Sequence, residues 1–338
     1  MGETTIKGEI VKEYLQKWPN VKNRTLARKI HKENPLVFND IEEARFIVRS
    51  YRGKAGDYKR KHLEDRRFVR DETIPSGENP YNLPDSDALT YPIFKFPKAQ
   101  NNILVASDAH CPYHDPIAIT AMLDWARARE THKINTVLLN GDWMDCHRIS
   151  SFVPDPRKRD FKGEREVLWR MLDAMQNALP DAVFYYRQSN HERRYERFMM
   201  TKAPEIFDTE EFRFDVLMKF GERGIIYIGD KLRVQAGSLT IIHGDEYNGS
   251  NSPVNAARGL FLRAKASAMC GHSHQVSEHS EVNINGDIIT CWSVGTLSEM
   301  HPEYAVLNRW SQGFARVLVF PDETFQVTNL RIDCGSVL

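Results

Sequence analysis

The chain of 338 residues reads as an α/β protein built on a pair of sheets flanked by helices. Three observations lead to that fold class. Short apolar runs alternate with amphipathic stretches between residues 103 and 186, as in βαβ units. Beyond residue 230 the pattern becomes strand-rich, with an Asn285-Gly286 turn between two runs as a hairpin signal. Five short polar motifs also each end a predicted strand: Asp108-Ala109-His110, Gly141-Asp142-Trp143-Met144-Asp145, Asn190-His191-Glu192, His243-Gly244-Asp245 and Gly271-His272-Ser273-His274.

The elements are expected in the following order. Ile103 to Ala106 is a buried strand, and Pro116 to Glu130 an amphipathic helix with proline in its first turn, where the missing N–H costs nothing. Thr136 to Leu139 is a strand, Gly163 to Ala178 a helix and Ala182 to Tyr186 a strand. Leu232 to Ala236, Leu239 to Ile242, Val282 to Trp292 and Phe314 to Phe320 supply the later strands. Ahead of these lie three short helices. Ile10, Val11, Tyr14, Leu15 and Trp18 keep helical spacing up to Pro19. Asn23 or Thr25 caps a second helix carrying Leu26, Ala27 and Ile30, and Asp40 caps a third from Ile41 to Tyr51, closed by Gly53 and Gly56. The expected division is a helical module over 1–70, a Pro-rich connector over 71–98 with Pro75, Pro80, Pro84, Pro92 and Pro97, and a main domain over 99–338.

An apolar share of 41% suits a globular core. No run approaches the roughly 20 apolar residues that span a bilayer, and Met1 to Leu15 has no secretory apolar core. Cys111, Cys146, Cys270, Cys291 and Cys334 are scattered and odd in number, which suggests free thiols and a cytoplasmic setting. The zero net charge hides an asymmetry: residues 1–70 carry 18 Lys and Arg against 10 Asp and Glu, and the remainder 28 against 36. With Lys59-Arg60-Lys61 and Arg66-Arg67 behind it, the module is either a helix-turn-helix-like contact for nucleic acid or a helical prop with a solvated face.

Each strand-end motif alone has an ordinary structural reading, a capped turn or a hydrogen-bonded imidazole. Jointly they bring carboxylates, imidazoles and one amide to one edge of the sheets, where open α/β folds bind ligands. Asp108 with His110, and His272 with His274, are expected to grip cations from i and i+2 of extended chain. Asp142, after the turn-forming Gly141, is the candidate bridge, offering one oxygen to each of two cations, and Asn190 offers a neutral oxygen. The set without thiolate favours Mn, Fe, Zn or Ni over Ca or Mg, with manganese favoured. Cys111, Cys146 and Cys270 read as packing beside the ligands, and His114 and His147 as neighbours rather than ligands. His31, His62, His132 and His279 have no motif context.

In order and residue type these motifs resemble the calcineurin-like metallophosphoesterases over about residues 99–330. The resemblance implies an αββα β-sandwich flanked by helices and a dinuclear site. It implies Asp108, His110, Asp142 and His274 at one metal, with Asp142, Asn190, His243 and His272 at the other. It implies His191 as the catalytic histidine, oriented by Asp145. Ser189 stands where the family usually has glycine, and its hydroxyl is expected either to satisfy the turn or to crowd the phosphate. Asp145-Cys146-His147 and Gln188-Ser189 replace the arginine motifs of the protein-phosphatase branch, while Arg148, Arg187 and Arg193 lie nearby out of register. Asp108 to Asp115 and Trp310-Ser311-Gln312-Gly313-Phe314 look like phage and prophage-type members, which would place the protein in a host cytoplasm.

The expected activity is hydrolysis of phosphate esters by metal-activated water. Three readings stay open: a phosphodiesterase or nuclease reached through the basic module, a phosphomonoesterase, and a binding or scaffold protein without activity. The first leads because the basic module has no use in small-molecule hydrolysis. Trp143, Tyr185, Tyr186 and Tyr195 read as core, with base stacking as the alternative. Oligomeric state is not legible.

Overall fold

The computed structural model describes residues 6–52, 88, 91–128, 133–153, 157, 160–229, 232–247 and 254–338. Gly53, Gly56, the basic runs at 59–61 and 66–67, His62, His132 and most of the expected connector lie outside the described residues. The chain divides into two compact units, Met1–Leu89 and Thr90–Leu338. No helix among the described residues is long and apolar enough to cross a membrane.

The first unit holds α1 (Ile6–Lys17), α2 (Asn23–Glu33) and α3 (Ile41–Tyr51). Val11, Leu15, Leu26, Ala27, Ile30, Phe38, Ala44 and Val48 form its core, the stripe that i, i+3 and i+4 spacing produces. Asp40 caps α3 by accepting the Glu43 N–H. Neither residue expected to cap α2 does so: Lys22 occupies that position without a side-chain bond, and Asn23 is the first helical residue. The reason is Arg52, buried at the end of α3. It takes the Asn23 side chain at 2.7 Å and the Pro19 carbonyl at 2.8 Å, so the amide is used to tie α3 to the α1–α2 turn. Arg24, Arg28 and Lys32 follow one another at four-residue spacing along α2, all exposed.

The second unit is a sandwich of two sheets. One sheet contains β2 (Asn102–Ala106), β3 (Thr136–Leu139), β4 (Val183–Arg187), β5 (Ile226–Ile228), β11 (Gln312–Val319), β12 (Phe325–Asp333) and β13 (Ser336–Val337). Its order is β13-β12-β11-β2-β3-β4-β5, with β2 to β5 parallel. The other contains β1 (Ile93–Lys95), β6 (Arg233–Ala236), β7 (Leu239–Ile241), β8 (Ala268–Cys270), β9 (Ser277–Val282) and β10 (Ile288–Ser293), in the order β1-β6-β7-β8-β10-β9. Strand β1 falls inside the expected connector and pairs with β6.

Strand periodicity sorts side chains between layers. Ile103, Val105, Leu138 and Tyr185 face Val234, Ala236, Ile241 and Met269 between the sheets. Their alternates Leu104, Ala106, Val137, Leu139, Phe184 and Tyr186 face a helical layer. That layer comprises α4 (Pro116–Arg127), α5 (Phe161–Ala178) and α6 (Arg193–Lys202). Helix α7 (Ala256–Ala264) covers the opposite face through Ala257 and Leu260. The order helix, sheet, sheet, helix is the αββα sandwich expected. Being buried on both faces explains why β2, β3 and β4 read as continuous apolar runs. Helix α4 ends at Arg127, short of the expected Glu130, and residues 129–132 lie outside the described ones.

Candidate metal centre

All five motifs follow strands that end at one edge of the sandwich. Parallel pairing of β2, β3 and β4 sets Asp108, Asp142 and His191 side by side. Parallel β7 and β8 do the same for His243 and the His272–His274 loop. The expectation that i and i+2 partners share a face of extended chain is corrected here. Asp108, His110, Asp142, His272 and His274 all adopt left-handed φ, between 50° and 62°, at a cost on the order of 1–3 kcal/mol each. Backbone bonds from His110 N–H to the Asp142 carbonyl (2.8 Å) and from Gly271 N–H to the His243 carbonyl (2.7 Å) hold these kinks. Gly141, at φ 90°, is packed so closely that a Cβ there would lie 2.6 Å from both Ser189 Cβ and His243 Nδ1.

The side chains converge in overlapping sets. Asp108, His110 and His274 bring ligand atoms within 4.8 Å of one another, and so do Asp142, His243 and His272. A third set, His110, Asp142 and His191, lies between them. Asp142 Oδ2 stands 3.3 Å from His243 Nε2, 3.7 Å from His191 Nε2 and 3.8 Å from His110 Nε2. Asp142 Oδ1 is engaged elsewhere, beside Ser189 Oγ at 2.5 Å and the His191 N–H at 3.2 Å. Asp142 Oδ2 is thus the carboxylate oxygen turned towards the imidazoles, while Oδ1 is turned towards Ser189 and the backbone.

The donors fit divalent cations. His243 Nδ1 donates to the Asn140 carbonyl (2.8 Å), and His110 Nδ1 lies 3.2 Å from Asp145 Oδ1. Both bonds leave Nε2 bare, as second partners of ligating histidines do. His110 Nε2 and His274 Nε2 confront each other at 3.1 Å, and Asp108 Oδ1 is 3.2 Å from His274 Nε2. Ligand atoms around one cation at about 2.1 Å would be spaced by ~3.0–3.4 Å. Asp108 Oδ1, Asn190 Oδ1 and His243 Nε2 are buried without a hydrogen bond, a condition that is rare unless something else satisfies the atom.

Charge reinforces the arrangement. Burial opposes ionisation of Asp108, but His274 and His243 hold it at about 2. Burial likewise opposes protonation of His243, yet Asp142 and Asp108 raise it to about 10. Burial and then His191 push His110 down, and burial and then His243 push His272 down.

Residues that were not singled out as ligands or catalysts hold the site together. Glu192, fully buried, accepts the N–H groups of Trp143 (3.0 Å) and Ser189 (3.1 Å) and the Tyr186 hydroxyl (2.8 Å), stitching its own loop to the loop after β3 and to β4. Ser189 Oγ accepts the Asp142 N–H at 2.7 Å and lies 2.5 Å from Glu192 Oε2. The serine hydroxyl thus satisfies the turn, the first of the two expectations for it. Arg187 is buried and paired with Glu246, whose Oε1 accepts the His243 N–H at 3.0 Å. Arg193 pairs with Asp245. Glu164, raised to about 8 by burial and then by Asp145, binds the backbone of residues 146–148. Trp143, Tyr185, Tyr186 and Tyr195 are all buried core. The cysteines are free; burial pushes the Cys270 thiol up to about 12 and raises Cys111 and Cys146 as well.

Above the centre lies a cavity of about 720 Å³ lined by His110, Asp142, His191, His272 and His274 together with Arg194, His147, Phe152, Tyr304 and Trp310. His147 is thus a pocket residue, whereas His114 lines a separate depression. His191 Nδ1 donates to the Asp145 carbonyl (2.9 Å) and lies 3.0 Å from its carboxylate. Arg194 Nη2 sits 3.0 Å from His191 Nε2. Asp145 therefore touches two histidines, His110 and His191, where one was expected. Arg194, three residues after His191 on α6, is the pocket cation that the sequence reading passed over.

No family model matches the chain, and no curated protein matches it. Among solved structures it is similar to a single-mutant Vps29 from Entamoeba histolytica at 14% identity and a TM-score of 0.36, covering 70% of this chain and 96% of that one. The wild-type Vps29 of the same organism, complexed with Zn²⁺, matches at 13% identity and 0.35, over 70% and 96%. Vacuolar Protein Sorting 29 from Cryptosporidium parvum matches at 16% identity and 0.33, over 69% and 98%. Likeness at this level assigns no activity to the chain.

Because His243 in the metal-free chain titrates at about 10, it carries a proton at neutral pH that an incoming cation must displace. Binding should release about one proton and tighten about tenfold per pH unit between pH 6.5 and 8.5. Titration calorimetry in buffers of different ionisation enthalpy measures this release. A binding heat independent of buffer would remove His243 from the ligand set.

Proposed function

We propose that this chain is a calcineurin-like metallophosphoesterase that hydrolyses phosphodiesters of nucleic acid at two divalent cations. The observation that carries the reading is the convergence of buried ligand atoms, several without a hydrogen bond, on overlapping sets in which Asp142 Oδ2 stands near both His110 and His243. Asp108, His110, Asp142 and His274 would hold one cation, and Asp142, Asn190, His243 and His272 the other, with manganese favoured among Mn, Fe, Zn and Ni. When bound, the pair supplies Lewis acidity towards a phosphoryl oxygen and a water acidified towards neutrality.

The chain's own residues supply the rest. His191 shares a set with His110 and Asp142, but its Nε2 already faces the Arg194 guanidinium, so it is assigned to proton transfer rather than to a cation. Burial opposes protonation of His191, but the Asp142 and Asp145 carboxylates outweigh it and raise its pKa. Nε2 can carry a proton once Arg194 turns to another acceptor, and a substrate phosphate oxygen is such an acceptor. His191 then hands that proton to the leaving alkoxide. Asp145 fixes the ring through Nδ1 throughout.

The nucleic-acid part of the reading is supported by α2, whose Arg24, Arg28 and Lys32 form an exposed cationic row. Phosphates spaced along a strand suit such a row, and a small phosphomonoester gains nothing from it.

Two experiments test these statements. His191→Ala should slow hydrolysis of an alkyl phosphodiester by about 10²–10⁴-fold, with a much smaller loss on bis(p-nitrophenyl) phosphate and unchanged metal content. Equal losses on both esters would remove the proton-donor role. Replacing Arg24, Arg28 and Lys32 together by Glu should flatten the salt dependence of single-stranded DNA binding by a slope of about two. An unchanged slope would detach α2 from the substrate.

A further inference from the structure

Resting on the reading of the centre as a phosphodiesterase, we infer that the cavity above it clamps an unpaired nucleobase beside the scissile phosphate. The rings around the centre are ordered from one side to the other. Phe152 lies 6.0 Å from the Arg194 guanidinium, which reaches His191. His191 packs against His110 at 4.5 Å, and His110 against His274 at 5.0 Å. Trp310 packs on His274 at 4.4 Å, Tyr304 follows at 6.3 Å, and Tyr113 lies 5.6 Å beyond it. The row of imidazoles thus has Phe152 on its His191 side and Trp310 with Tyr304 on its His274 side.

Holding cations requires none of these outer rings. Phe152 is 65% exposed and Tyr304 57%, and their neighbours Val153 and Leu307 are almost wholly exposed. Two separate loops therefore bring an exposed ring each, Phe152 and Tyr304, to the lining of one cavity, an arrangement that marks a binding surface. The cavity, about 720 Å³, is within the ~300–1,000 Å³ that enclose an organic ligand and is larger than a phosphate needs. Apart from His191, Asp145 and the candidate ligands, its polar lining consists of Arg194 beside the phosphate position, and His147 and Glu303, whose types can pair with ring nitrogens and exocyclic amines.

Flat rings with polar edges are what aromatic walls and a few hydrogen-bonding groups recognise together, as in single-strand binders. A base inside a duplex has both faces covered by its neighbours, so it reaches such walls only when unpaired or extruded. Substrate strands would therefore enter single-stranded. Phe152, Trp310 and Tyr304 determine specificity, and Arg194 holds the phosphate between them.

The test uses three esters with the same p-nitrophenolate leaving group, carried on thymidine 5′-phosphate, phenyl phosphate and methyl phosphate, with the full chain and Mn²⁺. The thymidine ester should exceed the methyl ester in kcat/KM by at least tenfold. Phe152→Ala and Tyr304→Ala should bring that ratio towards one, chiefly through KM, and Tyr304→Phe should restore it. A single-stranded oligonucleotide should be cleaved ahead of the same sequence in duplex. Equal KM for thymidine and methyl esters overturns the clamp alone, and a preference for the phenyl over the thymidine ester overturns it in favour of an aryl phosphate. No metal-dependent hydrolysis of any ester overturns the phosphodiesterase reading and the clamp with it.

Discussion

Two buried carboxylates and four imidazoles meet at one edge of a sandwich, and their spacing is unfavourable for the bare chain. His110 Nε2 and His274 Nε2 stand 3.1 Å apart, each with its lone pair or proton directed at the other. Asp108 is fully buried and ionised, and its Oδ1 has no hydrogen-bond donor. A charge at such depth costs several kcal/mol unless it is paired, and here the pairing falls to His274 and His243. A cation bonded to these atoms converts each close approach into a ligand edge. The chain keeps this geometry where ordinary packing of apolar residues would be more stable, which marks the cluster as a candidate metal centre.

The surrounding structure is organised to hold that geometry before any cation arrives. Left-handed kinks at five ligand-type residues turn their side chains inward, and hydrogen bonds between neighbouring strand ends fix them. Glu192 anchors the loops that carry Asp142 and Ser189, while Arg187 and Glu246 anchor the one that carries His243. Most of these supports are charged groups buried in pairs or with backbone donors, which position ligands firmly as long as every partner is present. Asp145 extends the same logic to the cavity, holding one ligand histidine and the histidine assigned to proton transfer.

Much of this was legible in the sequence because two periodicities are hard to hide. Strands β2, β3 and β4 read as apolar runs since both faces are covered, and each ends in a motif that the fold delivers to one edge. The long strand β12 went unread. Its sequence, FQVTNLRID, mixes polar and apolar residues because only part of it is covered. Strand β1 hides among prolines for the same reason, with two of its three residues exposed. In the site, ligand types were visible but their supports were not. Glu192 stands next to His191 in the motif, yet a carboxylate that joins two loops and a strand has the same local signature as an exposed one. Arg194 was readable in principle, since the turn that leads into α6 brings the third residue after His191 back over it, the Arg194 N–H bonding the His191 carbonyl at 3.0 Å.

Local rules also misled where tertiary contacts overrode them. Extended-chain geometry put Asp108 and His110 on one face, and the chain reaches that result through left-handed turns instead. Asn23 has the chemistry of a helix cap, but Arg52 claims it. The most direct measurement of the central claim is anomalous diffraction from crystals grown with Mn²⁺. Two peaks, one among Asp108, His110 and His274 and one among Asn190, His243 and His272, with Asp142 Oδ2 between them, are the expected result. A single peak, or none with the side chains unmoved, would contradict the dinuclear account.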